Sequence, residues 1–338
     1  MSRYQKPKLN FSGSFPKVKE LGSHCVLIFD SALLKFPKTE KWISGFTHSY
    51  GAKAGEDLKD IKNFSTHIEK ILKLSESLPS RELTFVILGG GSVGDFGGFA
   101  ASIYKRGVRL IQIPSTWLAA VDSAHGGKTA LNVKGFKNQL GTFYQAEEIY
   151  LVKDLLCSQP KERWLEAFNE ILKIALIENS VLWNELNQSD VSEEDIWDWL
   201  PLAIAAKYKI VEQDPFEEKG YRQILNLGHT MGHVFESLFK ISHGESVGHG
   251  LKFSLLWSNE KVHQDSWVND AIQKIQLQRK TLPKVSAVQM RKMLLQDKKR
   301  DKKDQVNFVF LRHLGSPQVE PTSIDEVILA ARRQGLVK

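Results

Sequence analysis

Residues 83–88 read LTFVIL, an apolar run that leads straight into Gly89-Gly90-Gly91, and this junction restricts the fold more than any other feature. Six residues with no polar alternation fit a strand buried on both faces, as in a parallel sheet. The glycines allow a tight turn, residues 93–104 can follow as a helix, and residues 108–113 (VRLIQI) return as a second apolar strand. Strand, helix and strand in that order form a βαβ unit, so a parallel sheet with helices on its faces is expected. Just upstream, Ile61, Phe64, Ile68, Ile71 and Leu72 recur at three- and four-residue spacing, which predicts an amphipathic helix ending near Ser77-Leu78-Pro79.

Beyond residues 151–160 the pattern changes. Helical periodicity dominates from Lys161 to about Lys261, with Trp164, Phe168, Ile171, Ile174 and Ala175 marking one face. The expected organisation is therefore an α/β N-terminal domain over residues 1–158 and a mostly helical domain over residues 159–338. With 338 residues, 42% of them hydrophobic, the chain has apolar material for two cores. Near the end, residues 306–312 (VNFVFLR) and 318–320 suggest a hairpin, and Ser323 with Glu326 forms a capping box for a final helix. There is no internal repeat.

Composition narrows the function classes. No stretch approaches the ~18 to 20 apolar residues of a membrane span, and the start, MSRYQKPKLNFSGSF, lacks an apolar signal core. A cytoplasmic protein without a membrane partner is expected. Cys25 and Cys157 are the only cysteines and sit in no CxxC or Cys/His ligand spacing. The formal charge of +7 would suit nucleic acid, an acidic membrane surface or a multiply anionic small molecule. The densest run, residues 297–304 (DKKRDKKD), alternates acids with bases and carries no stacking aromatics, which argues against a nucleic-acid partner.

Three constellations carry chemistry. The first is the glycine turn, continued as Ser92-Val93-Gly94-Asp95, in which backbone N–H groups can approach a diphosphate at a helix N-terminus. A turn needing glycine only for its dihedral angles is the plainer alternative. Asp95, one turn into that helix, is placed to accept a hydrogen bond from a nucleotide's sugar or amide. The second is a cluster of four of the ten histidines, His229, His233, His243 and His249. His229 and His233 share a helix face, so an HxxxH pair is one ligand arrangement; convergence with His243 is another. Glu170, flanked by apolar positions, supplies a carboxylate that would be costly to bury unpaired. The third is a set of cations outside charge runs: Arg106, Lys128, Lys137, Lys173, Lys207 and Arg222. Together they suit a substrate carrying phosphate and carboxylate.

These segments resemble the 3-dehydroquinate synthase family. The likeness runs from Gly89 through Val108-Arg109, Ile113-Pro114, Val121-Asp122-Ser123, Gly126-Gly127-Lys128-Thr129, Lys137-Asn138 and Phe143-Tyr144-Gln145. It continues through Glu170-Ile171-Leu172-Lys173 and Leu225-Asn226-Leu227-Gly228-His229-Thr230 to His243-Gly244-Glu245. The resemblance implies a Rossmann-like NAD-binding domain, a helical domain holding zinc or cobalt, and substrate in the cleft between them. It makes Glu170, His229 and His243 the metal ligands and leaves His233 to contact substrate. It assigns NAD contacts to Gly90, Gly91, Val93, Asp95, Ser115, Thr116 and Lys137, with Glu56 and Lys59 near the adenosine. It assigns the substrate pocket to Arg106, Asp122, Lys128, Asn138, Lys173, Lys207, Glu218, Arg222, Asn226 and Lys298. Lys298 depends on aligning Asp297-Lys298-Lys299, a triplet that Asp301-Lys302-Lys303 repeats.

The implied activity is a carbon–oxygen lyase of the shikimate pathway to aromatic amino acids, which converts 3-deoxy-arabino-heptulosonate 7-phosphate to 3-dehydroquinate and phosphate. Oxidation by NAD, phosphate elimination, re-reduction and intramolecular aldol closure leave no net redox change. A homodimer, with Arg106 reaching toward the neighbouring subunit, is also implied. Departures from the family pattern are Ser115-Thr116 for two threonines, Ala124-His125 for a small residue and serine, and Trp117 and Ala146 for leucine and proline. The first residues, to about position 45, match poorly. A sister cyclase making a valiolone- or inosose-type ring, or an iron- or zinc-type polyol dehydrogenase, are the alternatives.

Overall fold

A computed structural model of the chain describes residues 4–79, 81–178, 181–262, 266–295 and 304–338. They form two compact units, Met1–Pro160 and Lys161–Lys338.

The first unit is built on six parallel strands: β1 (Lys8–Ser12), β2 (His24–Asp30), β3 (His48–Ala52), β4 (Leu83–Gly89), β5 (Arg109–Pro114) and β8 (Glu148–Val152). Their spatial order is β1-β8-β5-β4-β2-β3, which puts the glycine-ended strand near the middle. All seven residues of β4 are buried, as its unbroken apolar run requires. Val86 and Leu88 of β4 join Leu27, Ile111 and Ile113 of the flanking strands in one core.

Two helices cover this centre, α1 (Ile61–Ser75) and α2 (Gly91–Ile103). Phe64 of α1 meets Phe96 and Phe99 of α2 edge to face, at centroid distances of 5.8 and 5.5 Å. The α2 helix starts two residues before the expected position because Gly90 accepts a hydrogen bond from Gly94 N at 2.9 Å, closing the first turn at once. Gly97 lets α2 lie against the sheet; a Cβ there would come within 2.5 Å of Ile87 Cδ1. An antiparallel hairpin, β6 (Lys128–Val133) and β7 (Phe136–Phe143), completes the unit. Its loop is Lys134-Gly135, with φ of 50° and 79°, the two positive values that a two-residue primed turn needs.

The second unit is mainly helical: α3 (Lys161–Glu178), α4 (Val181–Gln188), α5 (Glu193–Val211), α6 (His229–Phe239), α7 (His243–Val262), α8 (Ser266–Lys274), α9 (Ala287–Leu295) and α10 (Ile324–Arg333). The long helical stretch expected here divides because Ser192 caps α5 with Asp195, and because Gly220 and Gly228 take φ of 76° and 79°. The late hairpin is β9 (Gln305–Leu311) with β10 (Pro317–Ser323). Phe253 and Trp257 of α7 pack on Phe308 and Phe310 of β9 in the core. No helix of the described residues is long and apolar enough to cross a membrane.

Candidate metal centre and cofactor turn

Every residue of α3 from Glu166 to Ile177 is buried, so its polar side chains face protein on all sides. Glu170 is one of them, at 1% exposure. Such a carboxylate is tolerable only among positive groups. Lys173, one turn on, brings Nζ to 2.5 Å from Oε2, while His229 Nε2 and His243 Nε2 lie 3.4 and 3.6 Å from Oε1. Neither carboxylate oxygen completes a well-directed hydrogen bond. Burial alone would push Glu170 up, but Lys173 and the imidazoles outweigh it and hold the carboxyl well below its usual range.

Close backbone approach makes this convergence possible. A Cβ on Gly244 would fall 2.5 Å from the Glu166 carbonyl oxygen, so the start of α7 rests directly on α3. A Cβ on Gly250 would fall 1.9 Å from the Gly228 carbonyl oxygen, so α7 also crosses the start of α6 without side chains between. His243, His229 and Glu170 thereby come from three helices to one point, their ligand atoms within 4.8 Å of one another.

His233 stays outside that triad. It is exposed, and its ring centroid is 5.7 Å from His229 and 6.1 Å from His243. The HxxxH pair is thus not the set whose ligand atoms cluster. His249 turns into the core beside Phe235, and burial pushes its imidazole down to about 4. Of the expected anion-binding groups, Lys173, Lys207 and Arg222 are all buried, on α3, on α5 and in the turn 221–226. Those three elements pack on one another. Arg222 also donates from Nη1 to the Pro215 carbonyl at 3.1 Å. Asn226 ends the same turn and Glu218 is exposed before it. Lys298, like the rest of residues 296–303, lies outside the described residues.

In the first unit the glycine turn sits where β4 and β5 end side by side, tied by a 2.9 Å hydrogen bond from Ser115 N to the Gly89 carbonyl. Thr116 lies against it: a Cβ on Gly90 would come within 3.1 Å of Thr116 Cγ2. Val93 is fully buried beneath the turn. Asp95, Lys59 and Asn138 meet. Lys59 Nζ donates to Asp95 Oδ2 at 2.5 Å and to Asn138 Oδ1 at 2.6 Å. Burial raises the Asp95 pKa, Lys59 pulls it back in part, and Glu56 and Asp122 push it up further. Glu56 accepts from Asn132 Nδ2 at 2.6 Å and faces Lys137 Nζ at 3.6 Å. Residues expected at different ends of a nucleotide and in a substrate pocket are thus one network. Arg106, with φ of 69°, and Lys128 are exposed in this unit, and Asp122 lies in the short helix Ala119–Ser123.

Two residues were not singled out in the sequence. Asn132 holds the network together, accepting from Asn138 N at 2.9 Å, but its place depends on a hairpin that no strong turn dipeptide announces. Glu236 contacts His243 Nδ1 at 3.0 Å, and here a signal existed: His229, His233 and Glu236 follow i, i+4, i+7 spacing on one helix face.

A buried carboxylate with one oxygen facing two imidazole nitrogens is a donor set that suits zinc or cobalt. Side-chain-free positions 90 and 91, the cap and first residue of a thirteen-residue helix, likewise suit a diphosphate. Comparison with known proteins points the same way. The 3-dehydroquinate synthase N-terminal domain matches residues 49–166 and the 3-dehydroquinate synthase C-terminal domain matches residues 167–303. A 3-dehydroquinate synthase from Leptospira interrogans is 36% identical over 295 residues, covering 83% of this chain and 80% of that protein. Among solved structures, 2-deoxy-scyllo-inosose synthase with carbaglucose-6-phosphate, NAD+ and Co2+ superposes with a TM-score of 0.80 at 22% identity, covering 96% of each chain. The 2-epi-5-epi-valiolone synthase of Streptomyces hygroscopicus, with NAD+ and Zn2+, gives 0.81 at 19% identity over 99% of each. At these identities the structural likeness speaks for the fold.

Proposed function

The chain belongs to the 3-dehydroquinate synthase family, and from that premise we propose that it converts 3-deoxy-arabino-heptulosonate 7-phosphate to 3-dehydroquinate and phosphate as an NAD- and metal-dependent lyase. The observation that carries the reading is the buried Glu170 carboxylate, one oxygen paired with Lys173 and the other facing His229 and His243, with the three ligand side chains clustered. Those three residues would hold zinc or cobalt. Gly90, Gly91, Val93, Asp95, Ser115, Thr116, Lys137, Glu56 and Lys59 would hold NAD. When bound, NAD supplies a hydride store and the divalent ion a Lewis acid.

The chain's own residues do the rest. Lys173, Lys207 and Arg222, buried in the second unit, offer positive charge to an anionic substrate in a low-dielectric setting, where each contact counts for more than in water. Arginine suits a bidentate grip on carboxylate, and lysine a point contact with phosphate. The family resemblance also assigns substrate contacts to Glu218, Asn226, His233 and Lys298 in the second unit and to Arg106, Asp122, Lys128 and Asn138 in the first. Cations that hold the phosphate in place also stabilise it as it departs. A carbonyl and an enolate kept within one bound molecule then close the ring with the advantage of enforced proximity. We further propose a homodimer, which sedimentation at assay concentration would test; a monomer there would count against it.

The test is a phosphate assay on purified protein with catalytic NAD. Release of phosphate from 3-deoxy-arabino-heptulosonate 7-phosphate without accumulating NADH absorbance is expected, as is its loss on chelation. Accumulating NADH would indicate a dehydrogenase instead. Phosphate release confined to sugar phosphates lacking the carboxylate would indicate a sister cyclase.

A further inference from the structure

We propose that Glu236 is a positioning residue for the metal centre, fixing the His243 ring so that Nε2 faces Glu170 and making that nitrogen a stronger ligand. The proposal rests on the metal-centre reading above and adds to it a group outside the three ligands. Both imidazoles of the triad turn Nε2 toward Glu170 Oε1, so each leaves Nδ1 to be satisfied elsewhere. For His229 the partner is the Leu227 carbonyl oxygen at 3.2 Å; for His243 it is the Glu236 carboxylate at 3.0 Å.

That difference has a chemical consequence. An acceptor at Nδ1 requires the proton there and leaves the Nε2 lone pair for a ligand. A neutral carbonyl does only this, whereas a carboxylate also raises the basicity of the ring and anchors it by a charge-assisted bond. Glu236 is well placed for the role. It sits two turns after His229 on the same face of α6, and its own carbonyl accepts from Lys240 N at 3.0 Å, which closes the helix end. Its side chain is 24% exposed and that of His243 33%, so the contact is partly open to solvent rather than sealed in the core. A mere ion pair joining α6 to α7 is the competing account. It would contribute to folding and leave metal affinity alone.

The experiment uses full-length, metal-free protein titrated with Co2+, read by its visible absorption and by competition with a chelator. Wild type, Glu236→Gln, Glu236→Ala and His243→Ala are compared, with thermal unfolding of each metal-free protein as the folding check. Glu236→Ala is expected to weaken Co2+ by ~10- to 100-fold and to alter the absorption band, while Glu236→Gln, which keeps an acceptor but no charge, falls between it and wild type. If both Glu236 variants bind Co2+ as wild type does while His243→Ala binds weakly, the proposal is overturned and the metal centre stands. If wild type takes up no Co2+, or His243→Ala binds it undiminished, the metal-centre reading itself fails and takes the proposal with it. A Glu236→Gln variant that melts early yet binds Co2+ normally would favour the ion-pair account and also overturn the proposal.

Discussion

Each unit sets a buried lysine 2.5 Å from a carboxylate, Lys59 with Asp95 in the first and Lys173 with Glu170 in the second, and the surroundings drive the two acids in opposite directions. Burial pushes Asp95 up; Lys59, whose protons Asn138 also takes, offsets this only in part, and Glu56 and Asp122 add to the rise, so Asp95 titrates high. Around Glu170 positive groups dominate, and it titrates low. The same pair of residue types therefore makes two kinds of site. A surplus of acceptors suits a ligand rich in hydroxyl and amide donors. A carboxylate facing imidazole nitrogens, each of which a divalent ion can engage in place of a proton, suits a cation.

The hardest blow to this contrast is Glu170→Ala. It strands Lys173 in a fully buried setting, so a loss of about 3–5 kcal/mol in urea unfolding is expected, together with loss of bound metal by elemental analysis. Unchanged stability would mean that Lys173 finds another partner. Gly244→Ala alters no charge, yet its methyl group must displace the Glu166 backbone and with it the approach of His243 to Glu170. A cost of about 1–3 kcal/mol and weakened Co2+ binding are expected. If affinity holds, the centre does not depend on that close approach.

Lys59→Met tests the other pair. Asp95 can take up a proton where Glu170 does not, so the expected cost is smaller, about 1–3 kcal/mol, from acceptors left without their donor. The sign follows from the raised Asp95 pKa. An acid that titrates higher in the folded than in the unfolded state stabilises the fold at low pH, and this is lost as pH rises through the folded value. The variant, with Asp95 raised further, should thus lose most against wild type near neutrality and least in acid, as urea midpoints at two pH values would show; a pH-independent cost would refute the pairing. Ser323→Ala, at the α10 capping box far from either pair in sequence, should cost only about 1 kcal/mol and leave cobalt titration unchanged.

Much of the first unit was legible because its signals are local. The run into Gly89-Gly90-Gly91 dictates a buried strand and a tight turn whatever surrounds it, and the i, i+3, i+4 pattern over residues 61–72 dictates a helix. The hairpin 128–143 was not, since β7 is exposed along most of its length and its residues show no clean alternation to mark a core face. Without that hairpin Asn132 had no place, and Asn138 no route to Lys59.

The histidine cluster shows the same division at one site. Spacing places His229, His233 and Glu236 on one helical face, because helix geometry is local and periodic. Which two imidazoles meet Glu170 depends on how three helices cross. That crossing is decided by contact of Gly244 with Glu166 and of Gly250 with Gly228, residues far apart in the chain. Residue types, helix faces and the glycine turn belong to the sequence alone; the choice of His243 over His233, and the surplus of charge of either sign around each buried lysine, arose only when packing brought distant segments within a few ångströms.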